Sequence, residues 1–275
     1  MDKKLEIVRL AYDYLLSKEG ITPEIIEENL IPQYNKPKSM NDIFKRFCES
    51  AQNRQMLSKV IGSSIGGFNN FSNVLFNFDP YSVVENYQVN ESSKLFKNIT
   101  EKLRPKGQLR DTAKSIWPQY CQSIIDSAYF LSKFKNPNDF YKWVDYFAND
   151  YKSKPALPLL ISIEVTGIGF SLACDLLKEL GYTNFGKPDV HLIYIFKELG
   201  LIENDKNQLK LNINVLRAID DIAEKNNVNS FNVDRIFWLI GSGDFFLSNP
   251  KTNIGRNRED FVKNVKNIWK SPNVT

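Results

Sequence analysis

Two short stretches carry residue types and spacings that suit chemistry. In residues 163–177, Val165-Thr166-Gly167-Ile168-Gly169 sits between two apolar, helix-like segments. Two glycines flanking one apolar residue allow a sharp turn and leave backbone N–H groups free at the start of the second helix. With the positive end of the helix dipole behind them, those groups suit a phosphate; the plain alternative is an ordinary helix-to-helix turn. The second stretch is Gly186-Lys187-Pro188-Asp189-Val190-His191, with Asp189 20 residues beyond Gly169. Asp is among the best helix N-caps, so Asp189 reads first as a cap for a helix over 190–199. The same place favours a negative charge and would fix a carboxylate at the edge of a cleft.

Scarce residues exclude other chemistries. Cys48, Cys121 and Cys174 are odd in number and far apart, which argues against a disulfide framework and gives no CxxC site. His191 is the only histidine, so neither a His-based zinc site nor a di-histidine relay can be assembled. An enzyme built from this chain works mainly with carboxylates, hydroxyls, amides or Lys. No apolar run approaches the roughly 20 residues of a membrane span. The charged start Met1-Asp2-Lys3-Lys4 is unlike a signal peptide. The expected setting is the cytoplasm, and the expected state a monomer.

The elements that must position these residues are helical. Leu5, Val8, Leu10, Ala11, Tyr14 and Leu15 recur near a 3.6-residue period, and Thr22-Pro23-Glu24 reads as N-cap, first-turn Pro and acidic first turn. The spacing predicts further helices around 40–63, 70–77, 91–103, 111–133, 138–150, 155–164, 171–181, 190–199, 212–226, 231–241 and 257–269. Strict alternation is nearly absent, so the fold class is all-α. Asn77-Phe78-Asp79-Pro80 and Asn136-Pro137-Asn138 read as short connectors. Charge concentrates between Lys94 and Lys114, where Lys94, Lys97, Lys102, Arg104, Lys106, Arg110 and Lys114 face only Glu101 and Asp111. This is a phosphate-facing surface or a solvated helix pair that happens to be basic.

Taken together, the two stretches resemble the helix-hairpin-helix superfamily of DNA glycosylases. Val165-Thr166-Gly167-Ile168-Gly169 is similar to its Leu-Pro-Gly-Val/Ile-Gly hairpin, and Pro188-Asp189-Val190-His191 to its Val-Asp-x-His segment. Asp-Val-His is nearest to the 8-oxoguanine glycosylase branch. More weakly, residues 57–81 resemble the early helix pair, with Ser64 near an intercalating position. Leu103-Arg104-Pro105-Lys106-Gly107 resembles an Ile-x-Pro-x-Gly passage. The resemblance implies double-stranded DNA as partner, Asp189 as catalytic carboxylate, and Gly167, Ile168, Gly169, Ser171 and His191 at DNA phosphate. It implies no cofactor, and no metal beyond a possible monovalent cation at the hairpin.

Departures from the pattern refine the expectation. Bifunctional members place a Lys two residues beyond the second hairpin glycine; here Ser171 stands there and cannot form a Schiff base. The chain is therefore expected to be monofunctional, unless Lys178, Lys187 or another Lys substitutes. The last Cys is Cys174, so the four-Cys iron–sulfur site of some members is absent. Ser64, Asn69 and Asn70 are candidates for the wedge that fills the gap left by a flipped base. Asp175 follows Ser171 by one helical turn and could face the base pocket; the alternative is an exposed or capping Asp. Phe245 and Phe246 are the aromatic candidates for that pocket, whereas Trp238 is expected in the core.

The expected architecture is two-lobed. Residues 52–186 form a helical barrel ending in the hairpin, residues 1–51 plus 187–275 form the second lobe, and DNA enters a cleft between them. Three functions fit: a repair glycosylase for an oxidised or alkylated base, a defence glycosylase removing a bulky modified base from foreign or phage DNA, and a non-catalytic DNA-binding module. Asp189 discriminates against the third, since binding alone needs no carboxylate facing DNA.

Overall fold

The computed structural model describes residues 2–55, 60–112, 115–248 and 251–271. In chain order the α-helices are α1 (Lys3–Leu16), α2 (Pro23–Leu30), α3 (Met40–Ala51), α4 (Val60–Ser64), α5 (Pro80–Asn86), α6 (Ser92–Leu103) and α7 (Ile116–Leu131). They continue with α8 (Pro137–Ala148), α9 (Ala156–Glu164), α10 (Phe170–Glu179), α11 (Val190–Glu198), α12 (Gln208–Lys225), α13 (Ser230–Ser242) and α14 (Arg258–Lys270). The fold is all-α. Among the described residues, the strands β1 (Asp244–Phe245) and β2 (Thr252–Asn253) form one antiparallel pair.

The chain divides into two compact units, Asn35–Gly181 and the combination of Met1–Tyr34 with Tyr182–Thr275. The expected boundary at 52 therefore moves to 35, and that at 186 moves to 181. The reason is α3, whose buried Ile43, Phe44 and Phe47 pack it against α7 inside the middle unit. Tyr120 Oη on α7 also donates to the Cys48 carbonyl on α3 (3.0 Å).

The middle unit is organised around α7. Trp117, Tyr120, Ile124, Ile125, Ala128 and Leu131 are buried and lie around much of the helix, the pattern of a central core helix. Helices α3, α5, α6 and α9 pack on it. Phe47, Phe130, Phe134, Phe140 and Trp143 form an aromatic cluster with centroids 5.2–6.3 Å apart. The expected helix over 70–77 is instead two short 3₁₀ turns, Phe68–Asn73 and Phe76–Phe78, because Phe76, Asn77 and Phe78 all adopt positive φ. Asp79-Pro80, read as part of a connector, starts α5 as N-cap and N1 residue. The expected start of a helix at 111 shifts to Ile116, and that over 40–63 breaks into α3, a 3₁₀ turn at Gln52–Gln55 and α4. Residues 56–59 of that span, and Lys114 of the basic stretch, lie outside the described residues.

The other unit has its own core, in which Ile7, Leu15, Ile26, Phe196, Ile219, Phe237, Phe245 and Phe261 are essentially fully buried. Helix α13 is its axis, contacting α1, α2, α11, α12 and α14. Trp238 packs at the edge of this core, partly buried.

Candidate functional site

In the middle unit, α9 ends at Glu164 and α10 begins at Phe170, with the hairpin between them. Gly167 has φ +89°, a conformation that side-chain-bearing residues reach only with strain. The Ile168 side chain is fully buried and its N–H donates to the Val165 carbonyl (3.1 Å), closing the turn. Gly169 is the N-cap residue of α10, and no side chain caps the helix. A Cβ at Gly169 would meet nothing within 4 Å, so this end of α10 is open.

Two α7 side chains hold the hairpin. Asp126 Oδ2 accepts from the Thr166 N–H (3.0 Å), and Ser123 Oγ donates to the Thr166 carbonyl. Ser123 and Asp126 are one helical turn apart, so they grip both sides of one residue. Sequence reading missed both, because nothing local ties residues 123–126 to a turn 40 residues later. Amides presented by an open helix start, on a turn fixed from below, can hold an anion.

Ser171 lies half-buried on the first turn of α10. One turn on, Asp175 pairs with Lys178 (3.0 Å), and the two side chains are 20% and 12% exposed. Asp175 thus belongs to a charged cluster and is not an exposed surface group. The cluster continues to Glu179, whose Oε2 is buried with no hydrogen-bond partner. Burial first, then the Asp175 charge, pushes its pKa up to about 8, against the opposing pull of Arg46 and Lys178.

The wedge candidates lie on another loop of this unit. Ser64 Oγ donates to the Ile61 carbonyl (2.7 Å), so the hydroxyl is engaged within its own helical turn. Asn69 and Asn70 are both exposed, and Asn70 Nδ2 donates to the Ile65 carbonyl (2.8 Å) and braces the loop. The Lys106 N–H donates to the Ser64 carbonyl (2.8 Å), tying the basic segment to this loop. Arg104, Lys106 and Arg110 are exposed there, while Lys94 and Lys97 on α6 pair with Glu91 and Glu101.

Asp189 belongs to the other unit. Phe185 is fully buried, the Phe231 N–H donates to the Thr183 carbonyl (2.9 Å), and a Cβ on Gly186 would sit 2.8 Å from Ile219 Cδ1. These contacts lay the 183–188 segment tightly on α12 and α13. The chain then enters α11 with Asp189 as N-cap, and Oδ1 accepts from the N–H groups of His191 (2.8 Å) and Leu192 (3.0 Å). Two amide donors fix the orientation of the carboxylate. Asp189 is half-buried and Val190 beside it is 67% exposed, so the start of α11 is accessible.

His191 packs its imidazole against the backbone of Gly241 on α13, where a side chain would collide with it. Its Nδ1 is buried and unpartnered. Burial lowers its pKa, and the charges of Arg258 and Arg256 lower it further, only partly offset by Glu259. His191 is therefore neutral near pH 7 and can offer a phosphate an N–H but not a positive charge.

The aromatic candidates separate. Phe245 is fully buried in the core, which corrects the expectation that it lines a pocket: β1 turns its ring inward and leaves the glycine-flanked loop no freedom to expose it. Phe246 is 39% exposed and packs edge-on to Trp238, with the Arg235 guanidinium 4.5 Å from its ring centroid. Among the described residues, no His/Cys/Asp/Glu grouping could hold a metal ion, and no helix is long and apolar enough to cross a membrane.

No family model and no curated protein matches the chain. Among solved structures, it is similar to an 8-oxoguanine glycosylase/lyase from Methanocaldococcus jannaschii, crystallised with a 15mer DNA containing 8-oxoguanine. That likeness has 15% identity and a TM-score of 0.48, over 85% of this chain and 95% of that one.

Proposed function

We propose that this protein is a monofunctional DNA glycosylase: it takes one base out of the DNA stack and hydrolyses its N-glycosidic bond. The observation that carries the reading is Asp189. Its carboxylate is held by two backbone amides at an accessible helix start, 20 residues after a hairpin whose glycine turn opens onto an uncapped helix. A plain DNA-binding module has use for the hairpin and none for the carboxylate.

In this reaction the bond between C1′ and the base nitrogen breaks, and its electron pair leaves with the base. Positive charge develops on the sugar, as in other glycosyl transfers with oxocarbenium character. Asp189 stabilises that charge and orients the water whose oxygen bonds to C1′; the water's proton passes to the carboxylate and on to solvent or the departing base. The hairpin amides of the Gly169–Ser171 region hold a backbone phosphate. Flipping the nucleotide costs a few kcal/mol, offset by the pocket and by the group that fills the gap. Exposed Asn69 is the better placed of the wedge candidates, and Phe246 is the aromatic surface best suited to stack on a base. Ser171 offers no amine, so the product is an intact abasic site.

The test is base excision across duplexes carrying oxidised, alkylated and bulky phage-type modified bases, read with and without alkali, with Asp189→Asn alongside. Asn caps a helix about as well as Asp, so the fold is kept while the charge is lost. Alkali-dependent cleavage reduced by roughly 10²–10⁴-fold in Asp189→Asn is the expected result. Alkali-independent cleavage trapped by borohydride would overturn the monofunctional assignment. Tight DNA binding without excision of any base would favour the non-catalytic module.

A further inference from the structure

The segment Asn253-Ile254-Gly255-Arg256-Asn257-Arg258, from the end of β2 to the first residue of α14, has no part in the function described so far. It is fastened to the C-terminal turn of α13, where the Ile254 N–H donates to the Gly243 carbonyl (2.9 Å) and the Asn257 N–H to the Ile240 carbonyl (3.0 Å). Gly243 has φ +74°, and any side chain on it would overlap the Gly255 carbonyl, so the two backbones touch. Asn253 Oδ1 accepts from the Gly255 N–H (2.8 Å), and Asn257 Nδ2 donates to the carbonyls of Ile254 (3.0 Å) and Gly255 (2.8 Å). The segment is thus braced along its length.

The same turn of α13 carries Gly241, on which the His191 imidazole lies. One short piece of α13 therefore supports both the Arg256 segment and the first turn of α11, the turn that Asp189 caps. Arg258 is already engaged: its Nε donates to Glu259 (2.8 Å), and its guanidinium lies 4.7 Å from the Tyr194 ring centroid. Arg256 differs. It is exposed, and among the described residues no acid pairs with it. Its charge nonetheless reaches His191, helping to lower that imidazole's pKa. An exposed guanidinium with no acid paired to it, on a braced backbone segment that shares its α13 support with the first turn of α11, suits one anion, a phosphodiester, which its planar fork can bind through two N–H groups.

We infer that Arg256 is a positioning residue that binds a backbone phosphate of the strand carrying the excised base and so holds the sugar against Asp189. The inference rests on the glycosylase reading and adds a phosphate grip in the unit that carries the carboxylate, separate from the hairpin.

Binding of a short duplex containing one tetrahydrofuran abasic-site analogue, measured against salt concentration, tests it. Losing one phosphate contact flattens the slope of log K against log[salt] by about 0.9, so the Arg256→Ala deficit is roughly threefold larger at about 50 mM than at about 200 mM salt. Arg256→Lys should restore the slope, and Lys206→Ala, an exposed cation elsewhere in the unit, should leave it unchanged. Unaltered thermal unfolding confirms that the variants fold, with Arg256→Gln as a second neutral variant. If Arg256→Ala and Arg256→Gln bind with the unsubstituted affinity and slope, the clamp is refuted while the glycosylase reading stands. If the unsubstituted protein does not prefer the abasic duplex to an unmodified one, both fall together.

Discussion

Glu179 is the most improbable charge in the middle unit, and its consequence for stability can be worked out. It ends α10, where the helix dipole already disfavours a negative group, and it lies one turn from the like charge of Asp175. Its pKa rises from 4.5 to about 8. A carboxyl whose folded pKa is raised contributes its full stability below the unfolded pKa and loses it as pH climbs through the folded one. The protein should therefore lose stability between about pH 4.5 and pH 8, by at most about 1.4 kcal/mol per pH unit. The full window corresponds to roughly 5 kcal/mol. Relaxation and water entry around the buried charge reduce that to an expected roughly 2–4 kcal/mol. Glu179→Gln keeps the shape and removes the ionisation. Urea unfolding of both proteins from pH 5 to pH 8, followed by tryptophan fluorescence, should show near-equal stabilities at pH 5 and a growing advantage for the variant toward pH 8. Taking the difference cancels other titrations, including His191, whose lowered pKa works in the opposite sense by costing stability as pH falls. A gap that stays constant across the range would refute the argument and mean that Glu179 is ionised and compensated throughout. Asp175→Asn supplies a second check, since removing the like charge should shrink the slope.

Two further outcomes follow from the hairpin. Gly167→Ala should cost about 1–2 kcal/mol of stability, because alanine must adopt a positive φ there, and should weaken DNA binding by misdirecting the α10 amides; an unchanged unfolding midpoint would show that the turn tolerates a side chain. Asp126→Ala removes the acceptor for the Thr166 N–H and should weaken binding to abasic duplex about fivefold, equivalent to roughly 1 kcal/mol, with the fold intact by circular dichroism. Undiminished affinity would show that Ser123 alone holds the hairpin.

The features legible in the sequence are those whose cause is local. Thr22-Pro23 and Asp189-Val190 start helices because a side-chain oxygen reaches an amide two or three residues on, and the chain needs no distant partner for that. The Gly167 turn and the all-α class follow from equally short-range rules, φ freedom and 3.6-residue periodicity. Asp79-Pro80 carried the same starting signal, but the seven-residue α5 was too short for its period to stand out. Tertiary structure decided everything that depends on which surfaces meet. It assigned α3 to the middle unit through Phe44 and Phe47, and it turned Phe245 inward while leaving Phe246 outside. It set Ser123 and Asp126 under the hairpin, buried Glu179 beside Asp175, and brought Arg256 to the α13 turn that supports His191. An Asp, an Arg or a Phe has the same local preferences in any of these places. Its role comes from the partners that folding brings to it, such as the Thr166 turn 40 residues beyond Asp126, and those contacts exist only once the chain has folded.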